Sequence, residues 1–420
     1  MNIYDWSRLR YGAIVHFGLY SLLGRGEWAM NRENFDRADY RALAREFRPD
    51  AFDADALCDL LLRAGMRYVV WTSMHHDGFR LYDSRLSDFN SMRACGRDLT
   101  REVEQAARAH GLGFCLYHSL NNWMDEPDAV EALESRAAYE AFIAATMARL
   151  EEAATLFAPD VFWYDGWWPF NAQGWQAEEM NARLRAIKPD LLFNGRNALP
   201  GDFATPEGHL SAPRPYRPWE GCLTLNGSWG FHAGDHDWKS PWGIVESLAT
   251  CARGGGNLLL NIGPRGDGSV PEPSVGVLEE VGAWLARGGH KTAIFTSDRF
   301  TFGPGEREAD HRGDWCHSGP LTANGNDLFL LARRWPGESF SLSGLETRVQ
   351  AAFLDESEVL FEQVGERVTL SGLPAQSPDA LCSVFRFRCD APPSLYRTGG
   401  MRTPRVPHPR YDPVESEILW

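Results

Sequence analysis

At 420 residues the chain exceeds one core of ordinary size, but it fits a barrel of about 250 to 300 residues with a small second domain. Hydrophobic residues at 44% and charged residues at 24% exclude a disordered or fibrous protein. The balance of 42 basic against 57 acidic residues leaves a net charge of −15, which argues against nucleic acid and anionic membrane surfaces as partners.

The N-terminus, Met1-Asn2-Ile3-Tyr4-Asp5-Trp6, has no basic segment followed by an apolar stretch, and the chain has no run of about 18 apolar residues. A cytoplasmic location is expected unless a signal peptide has been trimmed. From there to about residue 290, short apolar runs alternate with amphipathic stretches, the pattern of an α/β protein. Strands are predicted at residues 12–17, 68–72, 113–118, 161–165, 191–194 and 257–262, with helices between them such as 98–110 and 134–157. Six to eight such units favour a closed (β/α)8-like TIM barrel over an open sheet, and no GxGxxG follows the first strand.

Beyond a helical stretch near 279–286 the texture changes to short alternating segments at 328–331, 339–342, 349–354, 367–370 and 382–387, which reads as a small β-sandwich. The expected organisation is a barrel over 1–295, a sandwich over 296–395 and an extended tail over 396–420. The eight cysteines, at 58, 95, 115, 222, 251, 316, 382 and 389, form no CxxC pair and no dense framework, so they are expected to be reduced.

Polar residues recur at the C-terminal ends of the predicted strands, where barrel enzymes place their active sites. Strand one ends in His16, and strand two runs into His75-His76-Asp77-Gly78-Phe79. Strand three ends in Tyr117-His118, strand four in Trp163-Tyr164-Asp165-Gly166-Trp167-Trp168, and strand five in Asn194-Gly195-Arg196. Asp165 closes an apolar strand, where a carboxylate is desolvated unless Arg, His or ligand hydroxyls compensate it. Glycoside cleavage needs two carboxyl groups, one attacking and one donating a proton. Asp165 suits the first role, while Glu207, Glu220 and Glu27 are all open for the second. A metal-dependent hydrolase built on His16, His75, His76 and Asp77 is the first rival. No HxH lies on strand one, and the adjacent histidines of a strand end are expected to point to opposite sides.

The motifs together carry a resemblance. Residues 11–21, Gly26-Glu27-Trp28, His75-His76-Asp77-Gly78-Phe79, Ser87-Asp88-Phe89-Asn90, Arg97-Asp98-Leu99, Leu116-Tyr117-His118-Ser119 and Phe162-Trp163-Tyr164-Asp165-Gly166 run in order. Asn194-Gly195-Arg196, Thr205-Pro206-Glu207, Trp219-Glu220, Asn226-Gly227-Ser228-Trp229-Gly230 and residues 255–264 complete the series. Over most of residues 8 to 390 the chain resembles glycoside hydrolase family 29, the α-L-fucosidases. The resemblance implies a TIM-like barrel followed by a β-sandwich, hydrolysis with retention of terminal fucosyl residues from oligosaccharides or glycoconjugates, and no metal or organic cofactor.

Carried over by position, it implies Asp165 as nucleophile and Glu207 as acid/base, with Glu220 as second choice. It also implies a sugar pocket lined by His16, Glu27, His75, His76, Tyr117, Trp163 and Arg196. Trp28, His118 and Trp229, within the matching stretches, complete the candidate set. Nearby cationic or hydrogen-bonding groups are expected to keep Asp165 charged, and an apolar setting to keep Glu207 protonated. The chain departs from the family pattern at His16-Phe17, Tyr117-His118-Ser119, Trp28-Ala29-Met30 and Asn194-Gly195-Arg196. These changes leave α-L-galactoside as an alternative substrate, and a silent fucose-binding protein as an alternative role.

Overall fold

The computed structural model describes residues 1–299 and 318–395, so Cys316 and the expected tail at 396–420 lie outside the described residues. The described chain forms two compact units. One comprises Met1–His209, Pro213–Ser240 and Asn257–Ala283, and the other Leu210–Ala212, Pro241–Gly256 and the described residues from Trp284 onward.

The first unit is built on seven parallel strands: β1 (Tyr11–Val15), β2 (Tyr68–Met74), β3 (Gly113–Ser119), β4 (Val161–Asp165), β5 (Leu192–Phe193), β6 (Glu220–Thr224) and β7 (Asn257–Ile262). Their order is β5-β4-β3-β2-β1-β7-β6. The segment 202–208, between β5 and β6 in sequence, fills the gap between those two edge strands. Isolated parallel bridges pair Asn194 with Phe203, Ala204 with Trp219 and Glu207 with Cys222. Its backbone bonds include Asp202 N to Phe193 O (2.8 Å), Glu220 N to Ala204 O (2.8 Å) and Cys222 N to Pro206 O (2.9 Å). This irregular eighth segment closes the ring, giving the TIM-like barrel that strand-helix alternation predicts. Two of its parts were not expected as strands: the segment 202–208 and β6 itself.

Several helices begin where the sequence supplies an oxygen for the free N–H groups of the first turn. Asp53 caps Ala54–Arg63, Asp98 caps Leu99–Ala109 and Ser135 caps Arg136–Phe157. Inside the barrel, alternate residues of each strand meet in one buried cluster that includes Ile14, Tyr68, Val70, Cys115, Tyr117, Val161, Trp163, Cys222 and Leu259. Gly12 on β1 is required there, because a Cβ would stand 2.3 Å from the Tyr68 ring.

The second unit carries eight antiparallel strands: β8 (Leu321–Asn324), β9 (Asp327–Ala332), β10 (Ser339–Ser343), β11 (Val349–Leu354), β12 (Ser357–Glu358), β13 (Leu360–Val364), β14 (Arg367–Ser371) and β15 (Ser383–Cys389). A three-stranded sheet, β10-β14-β13, and a five-stranded sheet, β12-β11-β15-β9-β8, share one core. Leu342, Val368 and Leu370 from the first sheet lie in it with Leu330, Ala352 and Phe385 from the second. This is the expected sandwich, with three strands (β8, β12 and β13) beyond the five predicted.

Candidate active site

The C-terminal ends of the barrel strands surround a cavity of about 240 Å³, whose lining includes His16, Glu27, Trp28, His75, His76, Tyr117, Trp163, Asp165, Arg196, Glu207 and Trp229. At its centre is Asp165, the last residue of β4, with only 8% of its surface exposed. The next residue, Gly166, turns the chain at φ +76°, and a Cβ there would press on Ser119 Oγ at 2.8 Å and on the Asn121 backbone nitrogen at 3.0 Å. The turn leaves the Asp165 carboxylate facing the cavity.

Asp165 Oδ2 accepts from the Tyr117 hydroxyl at 2.7 Å, and Oδ1 accepts from Arg196 Nη1 at 3.0 Å. His76 Nε2 lies 3.7 Å from Oδ2. Burial alone pushes this carboxyl up, but the Arg196 charge, then His76 and the two hydrogen bonds, outweigh it and hold Asp165 below the ordinary carboxylate range. The expectation of a charged aspartate therefore agrees with the direction of these effects.

Arg196 spans both carboxylates. Its Nη2 donates to Glu207 Oε2 at 2.6 Å and its Nε to Thr205 Oγ1 at 3.1 Å, while the guanidinium carbon lies 4.6 Å from the centre of the Trp163 ring. Glu207 reaches this position from the ring-closing segment, where Thr205 and Glu207, two residues apart, meet the same side chain. Its setting differs from the apolar one expected: the side chain is 44% exposed and ion-paired.

The histidines are held neutral. Burial lowers His16, and it depresses His75 further with help from the two neighbouring imidazoles. Burial likewise takes His76 down to about 4. Asn261 Nδ2 donates to the Trp229 carbonyl at 2.6 Å, so its oxygen faces His16 Nδ1 at 2.6 Å and accepts that proton. The tautomer leaves His16 Nε2 as an acceptor. Glu27 is anchored by the Gly230 N–H at 2.8 Å.

His75 and His76 both line the cavity, with ring centres 4.1 Å apart, which corrects the expectation that they diverge. Strand β2 ends at Met74, so the pair lies in the turn beyond it and escapes strand alternation. Asp77 is directed elsewhere, accepting from Tyr40 OH at 2.8 Å. Among the described residues no three His, Cys, Asp or Glu side chains are grouped to hold a metal ion.

Two candidates lie away from the cavity. His118 follows Tyr117 on β3 and so faces the opposite side of the sheet, where its Nδ1 meets Ser73 Oγ at 3.0 Å. Glu220 is inside the barrel, 1% exposed, accepting from Tyr68 OH at 2.5 Å and from Trp163 Nε1 at 2.9 Å. Burial pushes it up to about 7. Trp167 and Trp168 line the cavity although they were not among the candidate site residues. Their signal was positional, since they directly follow the aspartate turn.

A family model described as Alpha-L-fucosidase matches residues 2–290. The plasma alpha-L-fucosidase of Rattus norvegicus is 29% identical over 337 residues, covering 71% of this chain and 72% of its own. The alpha-L-fucosidase of Dictyostelium discoideum is 27% identical over 318 residues, covering 66% and 68%. The solved structure of alpha-L-fucosidase isoenzyme 1 from Paenibacillus thiaminolyticus is 29% identical, with a TM-score of 0.81 over 93% of this chain and 100% of that one. Fold, strand-end residues and these likenesses agree: the chain is a glycoside hydrolase that belongs to the alpha-L-fucosidase family.

Proposed function

We propose that the protein is a retaining exo-α-L-fucosidase that releases terminal fucosyl residues from oligosaccharides or glycoconjugates. The observation that carries the reading is the single guanidinium of Arg196 gripping Asp165 with one terminal nitrogen and Glu207 with the other. Both carboxylates are thereby held at one cavity, the pair of groups that glycoside cleavage needs. The cavity's modest volume and aromatic lining favour one terminal sugar over an internal residue of a chain.

In this reading an Asp165 carboxylate oxygen attacks the anomeric carbon to form a glycosyl ester, and the bond from that carbon to the departing oxygen breaks as Glu207 transfers its proton to it. Water deprotonated by Glu207 then cleaves the ester. Neutral His16, His75 and His76 offer both donors and acceptors to sugar hydroxyls, and Trp163 offers an apolar face.

The test uses two variants on an aryl α-L-fucoside. D165A is expected to lose at least ~10³-fold in kcat/KM while remaining folded. E207A is expected to lose less on a good leaving group than on a disaccharide, and azide should restore part of its rate. A D165A enzyme working at near-normal rate ends the nucleophile assignment, and azide rescue of E220A instead of E207A moves the acid/base role to Glu220.

A further inference from the structure

Two grooves continue from the sugar cavity within the first unit. One passes Trp168 toward Arg37, Asp128, Val130 and Leu133. The other passes Glu207 and Trp229, running along the end of β6 past Thr224, Asp237, Trp238 and Lys239. We propose that this second groove is the leaving-group site and that it takes a neutral, hydroxylated sugar.

The inference rests on Glu207 being the acid of the proposed fucosidase. A general acid must lie within hydrogen-bond reach of the oxygen it protonates. Whatever that oxygen carries beyond the scissile bond must therefore continue from the Glu207 side, which selects the groove that Glu207 itself lines. The Trp168 groove meets the sugar cavity only through Trp168, away from both carboxylates, and its lining includes the largely exposed aliphatic side chains of Val130 and Leu133.

The selected groove is built for hydroxyl groups. Asp235 accepts from Gly227 N at 2.9 Å and Ser228 Oγ at 2.7 Å, while Lys239 N donates to Leu225 O at 2.8 Å, so both ends of its loop are tied down. The Lys239 ammonium donates to Asn226 O at 3.2 Å and Thr224 Oγ1 at 3.4 Å, which leaves one of its three protons for a ligand. Asp237 adds an acceptor, and Trp238 and Trp229 add flat apolar faces suited to the C–H side of a pyranose. With Glu207 and Asp237 set against Lys239 alone, the lining disfavours an anionic sugar.

The experiment compares α-L-fucosyl fluoride, whose leaving group fills no groove, with a neutral fucosyl disaccharide. K239A and W238A are each expected to lower the ratio of kcat/KM for the disaccharide to that for the fluoride by about tenfold. L133S, in the other groove, is expected to leave that ratio unchanged. An unchanged ratio in K239A and W238A overturns the proposal, whether both substrates keep their rates or lose them equally. So does a ratio that falls in L133S alone. Failure of the unaltered enzyme to turn over either substrate removes the fucosidase reading and this proposal with it.

Discussion

Arg196 is the residue on which the two carboxylates depend, and its chemistry explains why a lysine could not replace it. A guanidinium presents terminal nitrogens in a fixed fork, whereas an ammonium is a point charge that cannot hold two partners at set positions. Asp165 and Glu207 thus share one positive charge, each on its own terminal nitrogen. R196K is expected to reduce kcat/KM by about 10²-fold or more, the scale of losing a fixed electrostatic donor, measured on the aryl fucoside. Tyr117 gives a finer test. Its hydroxyl bond to Asp165 is one of the effects that lower the aspartate. In Y117F the acidic limb of kcat/KM against pH should therefore move upward. An acidic limb that stays in place would mean that a different group controls it.

At the scale of the element, strand geometry decides which neighbours become functional. Tyr117 and His118 are adjacent in sequence, yet one binds Asp165 and the other is buried on the far side of β3. The alternation that separates them is visible in sequence only when the strand's facing is known, and the motif alone does not supply it. The same period fails for His75 and His76 because β2 stops one residue earlier, and a strand end is the least legible boundary. Strand β1 carries a steric constraint: Gly12 lies against the Tyr68 ring, so G12A should destabilise the fold by roughly 1 to 3 kcal/mol through overpacking, read as a lowered Tm.

Strand β6 contributes Glu220, whose buried carboxyl is raised from 4.5 to about 7. A folded-state value above the unfolded one means the folded protein keeps a proton that the unfolded chain releases across this interval. Stability is then fullest below about 4.5 and declines as pH rises through 7. E220Q, which carries no such proton, should show a shallower fall in Tm between about pH 5 and 8. Asp77, also raised to about 7 by burial, accounts for a remaining slope. A variant with an unaltered slope would show that Glu220 does not titrate in this range.

Across the whole molecule, the parts most legible in sequence are those with uniform texture. Apolar runs at β2, β3, β4 and β7 and capped amphipathic helices announce themselves by period and composition. The strand-end residues of the cavity were legible because barrel chemistry gathers at that face. What escaped were short or irregular pieces: β6, which opens with a carboxylate, and the segment 202–208, whose Pro206 and Gly208 interrupt any strand pattern.

That irregular segment has a further consequence. Elsewhere the ring is stitched by continuous ladders, but here the closure hangs on scattered bridges, and the candidate proton donor rides on one of them. On warming, this seam should fray while the rest of the wall persists, because local opening follows the least-bonded stretch. Fucoside cleavage should consequently disappear several degrees below the melting of tryptophan fluorescence, and amides of Ala204 and Cys222 should exchange with deuterium ahead of those in β2 and β3. Coincident loss of activity and fluorescence would show instead that the seam is as firmly closed as the wall it completes.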